Sequence, residues 1–460
     1  MKILYYIPGI AIMMTGLVSC GKSAFLNTKP NQSLVVPSSI ADYQAILDND
    51  AVMTGDNGEG VIPALGEIGA DNYYSLNADY NSKLTLIDKN AYIWASSIYE
   101  GNEVLDWDFP YRAVFYANEA LGGLQSVQIP AGQQSAWNNA EGCGLFYRGH
   151  MFYQLAQVFA PPYDSVPAGN NWGIPLKLSA DVTETVQRAT LQQTYQQIVS
   201  DIKSSIPLLP VTQPYPTRPS KPAAYALLAR VYQTMQDYKD AFLYADSSLQ
   251  LQSTLLDYNS VSRIPHWNVE VEFSCLLIMG SDGVLYYGVV DSNLYRSYQP
   301  NDLRKTLFFT RYNSQNPTLF CFRAGSYNAN VDLFGGVATD EVYLIRAECN
   351  ARLGNVTAAM NDLNALLVNR WVTGTFVPYT ATDATDALDQ ILTERRKELL
   401  MRGLRWTDLR RLNMDPNYQT TLTRVINGQT YTLAPNDPKY TYPIPDNVIS
   451  YNPDMPQNPR

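Results

Sequence analysis

Residues 394–411, ERRKELLMRGLRWTDLRR, carry three acidic and seven basic side chains. Three chemistries use such a cluster: a catalytic carboxylate pair, a basic patch for nucleic acid, or ion pairs that tie helices together. On a helix, residues three or four apart share a face. Glu398 then reaches Arg402, and Asp408 reaches Arg405 and Arg411, while Leu399, Leu400, Leu409 and Leu412 supply apolar contacts. Gly403 permits a break or a close helix contact. A catalytic pair needs an open cleft and carboxylates with separated pKa values. Carboxylates within reach of several arginines are instead held ionised. The spacing therefore points to a self-neutralised lattice with a scaffolding role. A net charge of −10 over 460 residues argues against a nucleic-acid partner, because an acidic surface repels phosphate.

Other reactive groups are sparse. The two histidines, His150 and His266, cannot form a His-rich metal site and leave few options for a triad. None of the five cysteines (Cys20, Cys143, Cys275, Cys321, Cys349) stands in C-x-x-C spacing, so neither a zinc ribbon nor a thioredoxin motif is supported. No D-x-D-x-D-G calcium loop is present, and no metal or cofactor is expected. Aromatic residues are abundant instead, with 33 Tyr and 7 Trp. A tyrosine offers a flat apolar face and a polar tip, which suits recognition of sugars or peptides and equally suits a large helical core.

Positioning such residues requires a scaffold, and a composition of 46% hydrophobic and 17% charged residues is globular. Two segments share one spacing. From Lys221, small and apolar marks fall at Ala229, Tyr232, Ala241, Ala245 and Ser248. From Asp340, they fall at Ala347, Asn350, Ala359, Leu363 and Leu366, again with steps of 3, 9, 4 and 3. This is the pattern of a tetratricopeptide-type helix pair, with turns at Gln236-Asp237-Tyr238 and Leu353-Gly354-Asn355. A third pair is split between a helix from Gly144, ending at Pro161-Pro162, and one from Leu191. The ERRKELL segment supplies a fourth. Such pairs bury their apolar faces only by stacking. The expected fold is thus mainly all-α. Long irregular stretches, at about 55–90, 161–187, 259–331 and 373–384, hold many of the Tyr, Trp, Gly and Asn residues and are expected to carry the ligand face.

Residues 3–18 form an apolar run after Lys2, too short and too interrupted by Gly and Pro for a transmembrane helix. The run ends in Leu17-Val18-Ser19-Cys20, which resembles a bacterial lipobox. Residues 1–19 are then a removable signal peptide, and Cys20 carries acyl chains. Each buried methylene contributes about 0.8 kcal/mol, so two or more chains anchor a protein stably.

Residues 394–411 resemble the C-terminal signature of the SusD/RagB family, loosely E-R-R-x-E-L-x-x-E-G-x-R-x-x-D-L-x-R. Glu394, Arg395, Arg396, Glu398, Leu399, Gly403, Arg405, Asp408, Leu409 and Arg411 match it; Arg402 departs, standing where the family usually has Glu. AFLNTKP, VPSSIADYQAILDN, PYRAVFYANEAL, Asn301-Asp302-Leu303-Arg304 and DEVYLIRAECNARLGN are similar to further family motifs, in order along nearly the whole chain after Cys20. The resemblance implies one domain over 20–460, with an N-terminal part to about 215 and a repeat core and C-terminal part from about 216. It implies a non-enzymatic, lipid-anchored protein of the outer membrane, facing the cell exterior. Such a protein captures oligosaccharides and passes them to a SusC-like TonB-dependent transporter, for which it acts as lid.

Sugar rings stack on aromatic faces while their hydroxyls meet Asn, Asp and Arg. Candidates are Asp71, Asn72, Tyr73 and Tyr74 in ADNYYSLNADY, Trp94 in AYIWA, Trp267 in PHWN, and Tyr287 beside Tyr286 in GVLYYGVV. AYIWA alternates like a strand, a pattern that can bury Trp94, and Tyr286-Tyr287 in a strand would point one ring each way, so that only one could face ligand. Trp107 and Tyr111 are assigned to the core. Two rivals stand beside this reading: a peptide-binding member of the same family, and a secreted all-helical glycoside hydrolase, whose loop carboxylates would start with Asp71 and Asp79.

Overall fold

The helices begin where the sequence caps them. Thr190 accepts a hydrogen bond from Gln193 N–H, and the Gln193 side chain accepts one from Thr190 N–H, a reciprocal cap. Ser220 accepts from Ala223 N–H, with Pro222 in the first turn. Asp383 accepts from the N–H groups of Thr385 and Asp386. The resulting computed structural model describes residues 36–278, 284–323, 327, 329 and 332–460. The chain divides into the units Met1–Ser38 and Ser39–Arg460. The expected signal peptide, 1–19, and the expected lipidation site Cys20 lie outside the described residues.

Within Ser39–Arg460 the architecture is mainly helical and tetratricopeptide-like. It rests on α1 (Leu105–Leu124), α2 (Gln134–Phe159), α3 (Leu191–Ser205), α4 (Lys221–Thr234), α5 (Tyr238–Leu249), α6 (Thr339–Arg352), α7 (Val356–Leu367), α8 (Ala384–Glu398) and α9 (Arg405–Leu412). Helices α4 and α5 form one pair, α6 and α7 the other, and α5 packs on α6 to join them. The marks at Ala229, Ala241, Ala245, Ser248, Ala347, Ala359, Leu363 and Leu366 are all wholly buried. Small residues there let the helices approach. Each turn closes through a left-handed residue: Gln236 with φ 61°, and Gly354 with φ 83°. The split third pair is α2 on α3, and α1 packs on the other side of α2. A Cβ at Gly149 would stand 2.8 Å from Ile202 Cγ1, so the α2–α3 approach requires glycine. Helix α8 covers α6. Trp107 is buried edge-on against Phe159 at 5.0 Å, and the half-buried Tyr111 donates to Pro175 O.

Three expectations need correction. Residues 55–90 are not one irregular loop but hold the short helices Leu65–Gly69, Asn77–Ser82 and Leu86–Tyr92. The AYIWA segment is the end of the last of these: Trp94 follows in a left-handed turn, φ 55°. Tyr286 and Tyr287 lie in a helical turn, Val284–Tyr287, rather than in a strand. The strands are short. Tyr73–Tyr74 (β1), Val289–Val290 (β2), Phe309–Arg311 (β3) and Phe320–Phe322 (β4) make an antiparallel sheet in the order β1-β2-β4-β3. A hairpin, Leu422–Ile426 with Gln429–Leu433, turns at Asn427-Gly428, both with positive φ as a type I′ turn demands. Among the described residues no helix is long and apolar enough to cross a membrane.

Candidate ligand-binding face

The charged stretch at 394–411 faces inward, as a lattice. It is not one helix: α8 ends at Glu398, and α9 starts at Arg405, after left-handed Met401 and Gly403. The break cancels the expected pair of Glu398 with Arg402, and within α9 Arg405 turns away from Asp408 to Asp71. Glu398 instead receives Arg304 Nη1 at 2.9 Å and Arg370 Nε at 2.7 Å, all three side chains wholly buried. Arg304 also meets Glu394 at 2.6 Å and Asp302 at 2.7 Å. Arg370 reaches Glu270 at 2.7 Å. Asp408 is shared by Arg395 and Arg411, each at 2.9 Å. Arg411 continues to Glu348 at 2.5 Å, and Arg402 finds Asp340 at 2.7 Å. Arg402 thus draws its carboxylate from α6. Burial alone would raise the Glu348 carboxyl, but Arg411 and Arg352 bring it down to about 2. These carboxylates are enclosed and each is matched by arginine, which is a scaffold and not a catalytic pair.

Three ligand candidates, Asn72, Tyr73 and Trp94, are buried, and a fourth, the half-buried Asp71, is held in ion pairs. Asp71 accepts from Arg405 Nε at 2.7 Å, and Arg396 stands 3.2 Å away. Burial opposes the Asp71 charge, yet the two arginines hold its carboxyl well below the usual range. Asn72, 1% exposed, donates to Glu67 at 3.1 Å and accepts from Arg396. Tyr73 is buried with its hydroxyl on Ile68 O at 2.8 Å. Trp94, 1% exposed, donates its indole N–H to Gly69 O at 3.0 Å, because the left-handed turn tucks the ring under the Leu65–Gly69 helix. Asp79 is also enclosed, paired with Lys83 at 2.9 Å and receiving the Tyr312 hydroxyl. Tyr74 and Tyr287 are half-buried at the sheet, where Lys83 Nζ sits 4.2 Å from the centre of the Tyr287 ring.

Trp267 is the candidate that reaches solvent, at 37% exposure. Its φ is 51°, a costly conformation for a bulky residue and one found where structure holds a functional side chain in place. Asp56 provides that hold. Its Oδ2 accepts the Trp267 indole N–H at 3.1 Å and the Ser274 hydroxyl at 3.3 Å, while its Oδ1 lies 3.6 Å from His266 Nε2. The Tyr215 ring stands 6.0 Å from Trp267 and the His266 ring 4.8 Å from it. Tyr215 is 56% exposed. Together they form an outward aromatic platform with imidazole and phenol groups at its margin and the enclosed Asp56 carboxylate beneath. Such a surface can stack on an apolar ring face and hydrogen-bond its substituents. The sequence reading missed Tyr215 and Asp56. Pro214 and Pro216 flank Tyr215 and keep it out of regular structure, a usable signal; Asp56 had none. Among the described residues no cluster of His, Cys, Asp and Glu could hold a metal ion.

Two family models match the sequence. Residues 24–233 match one described as starch-binding associating with outer membrane, and residues 340–460 match the SusD family. Among solved structures, a SusD superfamily protein from Bacteroides thetaiotaomicron superposes with a TM-score of 0.75 at 21% identity, covering 92% of this chain and 100% of that one. Another, from Bacteroides vulgatus, gives 0.73 at 21% identity, covering 92% and 99%. A SusD-like carbohydrate binding protein from Bacteroides vulgatus gives 0.68 at 19% identity, covering 91% and 98%. At these identities the likeness is one of fold. No curated protein matches the sequence.

Proposed function

We propose, from the premise that this chain belongs to the SusD/RagB family, that it is a carbohydrate-capturing protein of the outer membrane. It binds oligosaccharides or polysaccharide fragments and delivers them to a SusC-like TonB-dependent transporter, acting as its lid. Acylation of Cys20 anchors it, facing the cell exterior. It is a binder and not an enzyme. The observation that carries this reading is the Tyr215–Trp267 platform, an exposed aromatic pair pinned by Asp56 on an internally neutralised scaffold. The outer-membrane setting accords with the description of the family model matched at residues 24–233.

The test has two arms. Purified protein is run through gels containing individual polysaccharides, and tagged protein is recovered from gently solubilised native membranes. Retardation by at least one polysaccharide, with co-recovery of a large barrel transporter, supports the reading. Retardation by none, with binding to peptides instead, would replace sugar by peptide as the cargo. Release of reducing ends from any polysaccharide would make the protein a hydrolase.

A further inference from the structure

One arginine of the 394–411 stretch stays outside the lattice. Among the described residues, Arg410 has no carboxylate partner; two of its nitrogens donate to the backbone carbonyls of Gln157 and Ala160. Its Nε is buried and makes no hydrogen bond in the protein. Arg410 lines a cleft of about 590 Å3, a volume within the range of about 300–1,000 Å3 of small-molecule sites. Two more wall residues repeat the pattern. Asn413 Nδ2 and the Tyr440 hydroxyl are both buried; they face each other and have no other hydrogen-bond partner. The three residues are 3%, 1% and 1% exposed. Buried polar atoms left unsatisfied are rare and call for an occupant. The cleft's own acids do not serve: Asp164 accepts from Val166 N–H and Asp437 from Lys439 N–H.

The mouth of the same cleft carries Trp172, 47% exposed, with Asn170 and Asn171 beside it in the Pro-rich loop after α2. A cation and two neutral donors at the floor ask for a ligand that presents acceptor oxygens, best of all a carboxylate. A flat indole flanked by amides at the mouth asks for a ring with an apolar face and hydroxyls at its edge. We infer that this cleft is a second binding site, which takes a carboxylate-bearing sugar ring, a uronate, with its carboxylate on Arg410 and Asn413 and its ring on Trp172. The site is separate from the Trp267 platform and does not depend on it.

Sodium glucuronate is the probe, titrated into the full chain and followed by titration calorimetry, with glucose, sodium acetate and N-acetylalanine as comparisons. Saturable glucuronate binding is expected, at least tenfold tighter than glucose or acetate. Trp172→Ala, a change at an exposed side chain, weakens it at least tenfold. Asn413→Leu removes a floor donor and also weakens it, and thermal unfolding shows whether that variant has kept its fold. Glucuronate binding that is absent, or equal in Trp172→Ala, overturns the proposal. So does preferential binding of N-acetylalanine, which would make the cleft a peptide carboxyl-terminus site. A crystal soaked in glucuronate that shows only water on Arg410 Nε and Asn413 Nδ2 overturns it as well.

Discussion

Around Glu398, Arg304 and Arg370 meet their carboxylates with every partner out of solvent, whereas Tyr215 and Trp267 turn their rings outward. The two regions answer opposite questions. The lattice joins segments far apart in the chain: α8, α6, the Asp302–Arg304 turn, and Glu270 just before the strand Val271–Phe273. Removing one member leaves the others charged and buried, so it acts as a keystone for folding. The platform joins little. Its residues contact Asp56 and one another, and losing one costs the fold little but removes a recognition surface. In this chain, dense charge marks the interior, and the proposed binding face is a small group of exposed aromatic rings.

Four substitutions test that contrast. The largest effect is expected from Arg304→Met, which strips the shared cation from Asp302, Glu394 and Glu398. Denaturant unfolding should show a loss of about 3–5 kcal/mol. A loss below about 1 kcal/mol would mean the lattice is dispensable.

Next comes Glu272, wholly enclosed and receiving the Ser248 and Thr339 hydroxyls. Burial raises its carboxyl from the ordinary 4.5 to about 8. The folded state therefore keeps a proton that the unfolded chain releases near 4.5. The stability this contributes is complete below pH 4.5 and is lost as pH rises through about 8. Glu272→Gln keeps the neutral form at every pH. Relative to the parent it should match at pH 4 and gain on the order of 3 kcal/mol by pH 9. Parallel stability curves would show that Glu272 is already charged in the native protein.

The platform effects are smaller and fall on binding. Trp267→Ala should weaken glycan binding by about 30-fold, or about 2 kcal/mol, with an unchanged unfolding midpoint. Asp56→Ala leaves the ring in place but unpinned, and should cost about fivefold, close to 1 kcal/mol, in titration calorimetry. If it costs more than Trp267→Ala, Asp56 itself contacts the sugar.

The helix pairs were legible because their constraint is local: a repeat of small residues at fixed steps forces two helices together wherever it occurs. The charge stretch was legible as scaffold, but its pairings were not. Glu398 and Arg402 are four apart in sequence, yet the helix ends between them, and the true partners Arg304 and Arg370 come from elsewhere in the chain. For Trp94 burial was legible as an alternative, but the backbone that achieves it was not. A single left-handed residue reverses where a ring points, and nothing in AYIWA announces one. Asp71 and Asn72 lay in a polar, aromatic segment that looked solvent-facing, until two arginines more than three hundred residues later turned it inward. The exposure of Trp267 was legible because it is a large ring in a stretch without periodicity, whereas its neighbours come from residues 56 and 215.

The most direct test of the account is a crystal structure with a bound oligosaccharide, taken from whichever glycan retards the protein most. The account predicts a sugar ring packed on Trp267, with its hydroxyls toward Tyr215 and His266. An oligosaccharide bound over Tyr74 and Tyr287 instead, with Trp267 bare, would contradict it.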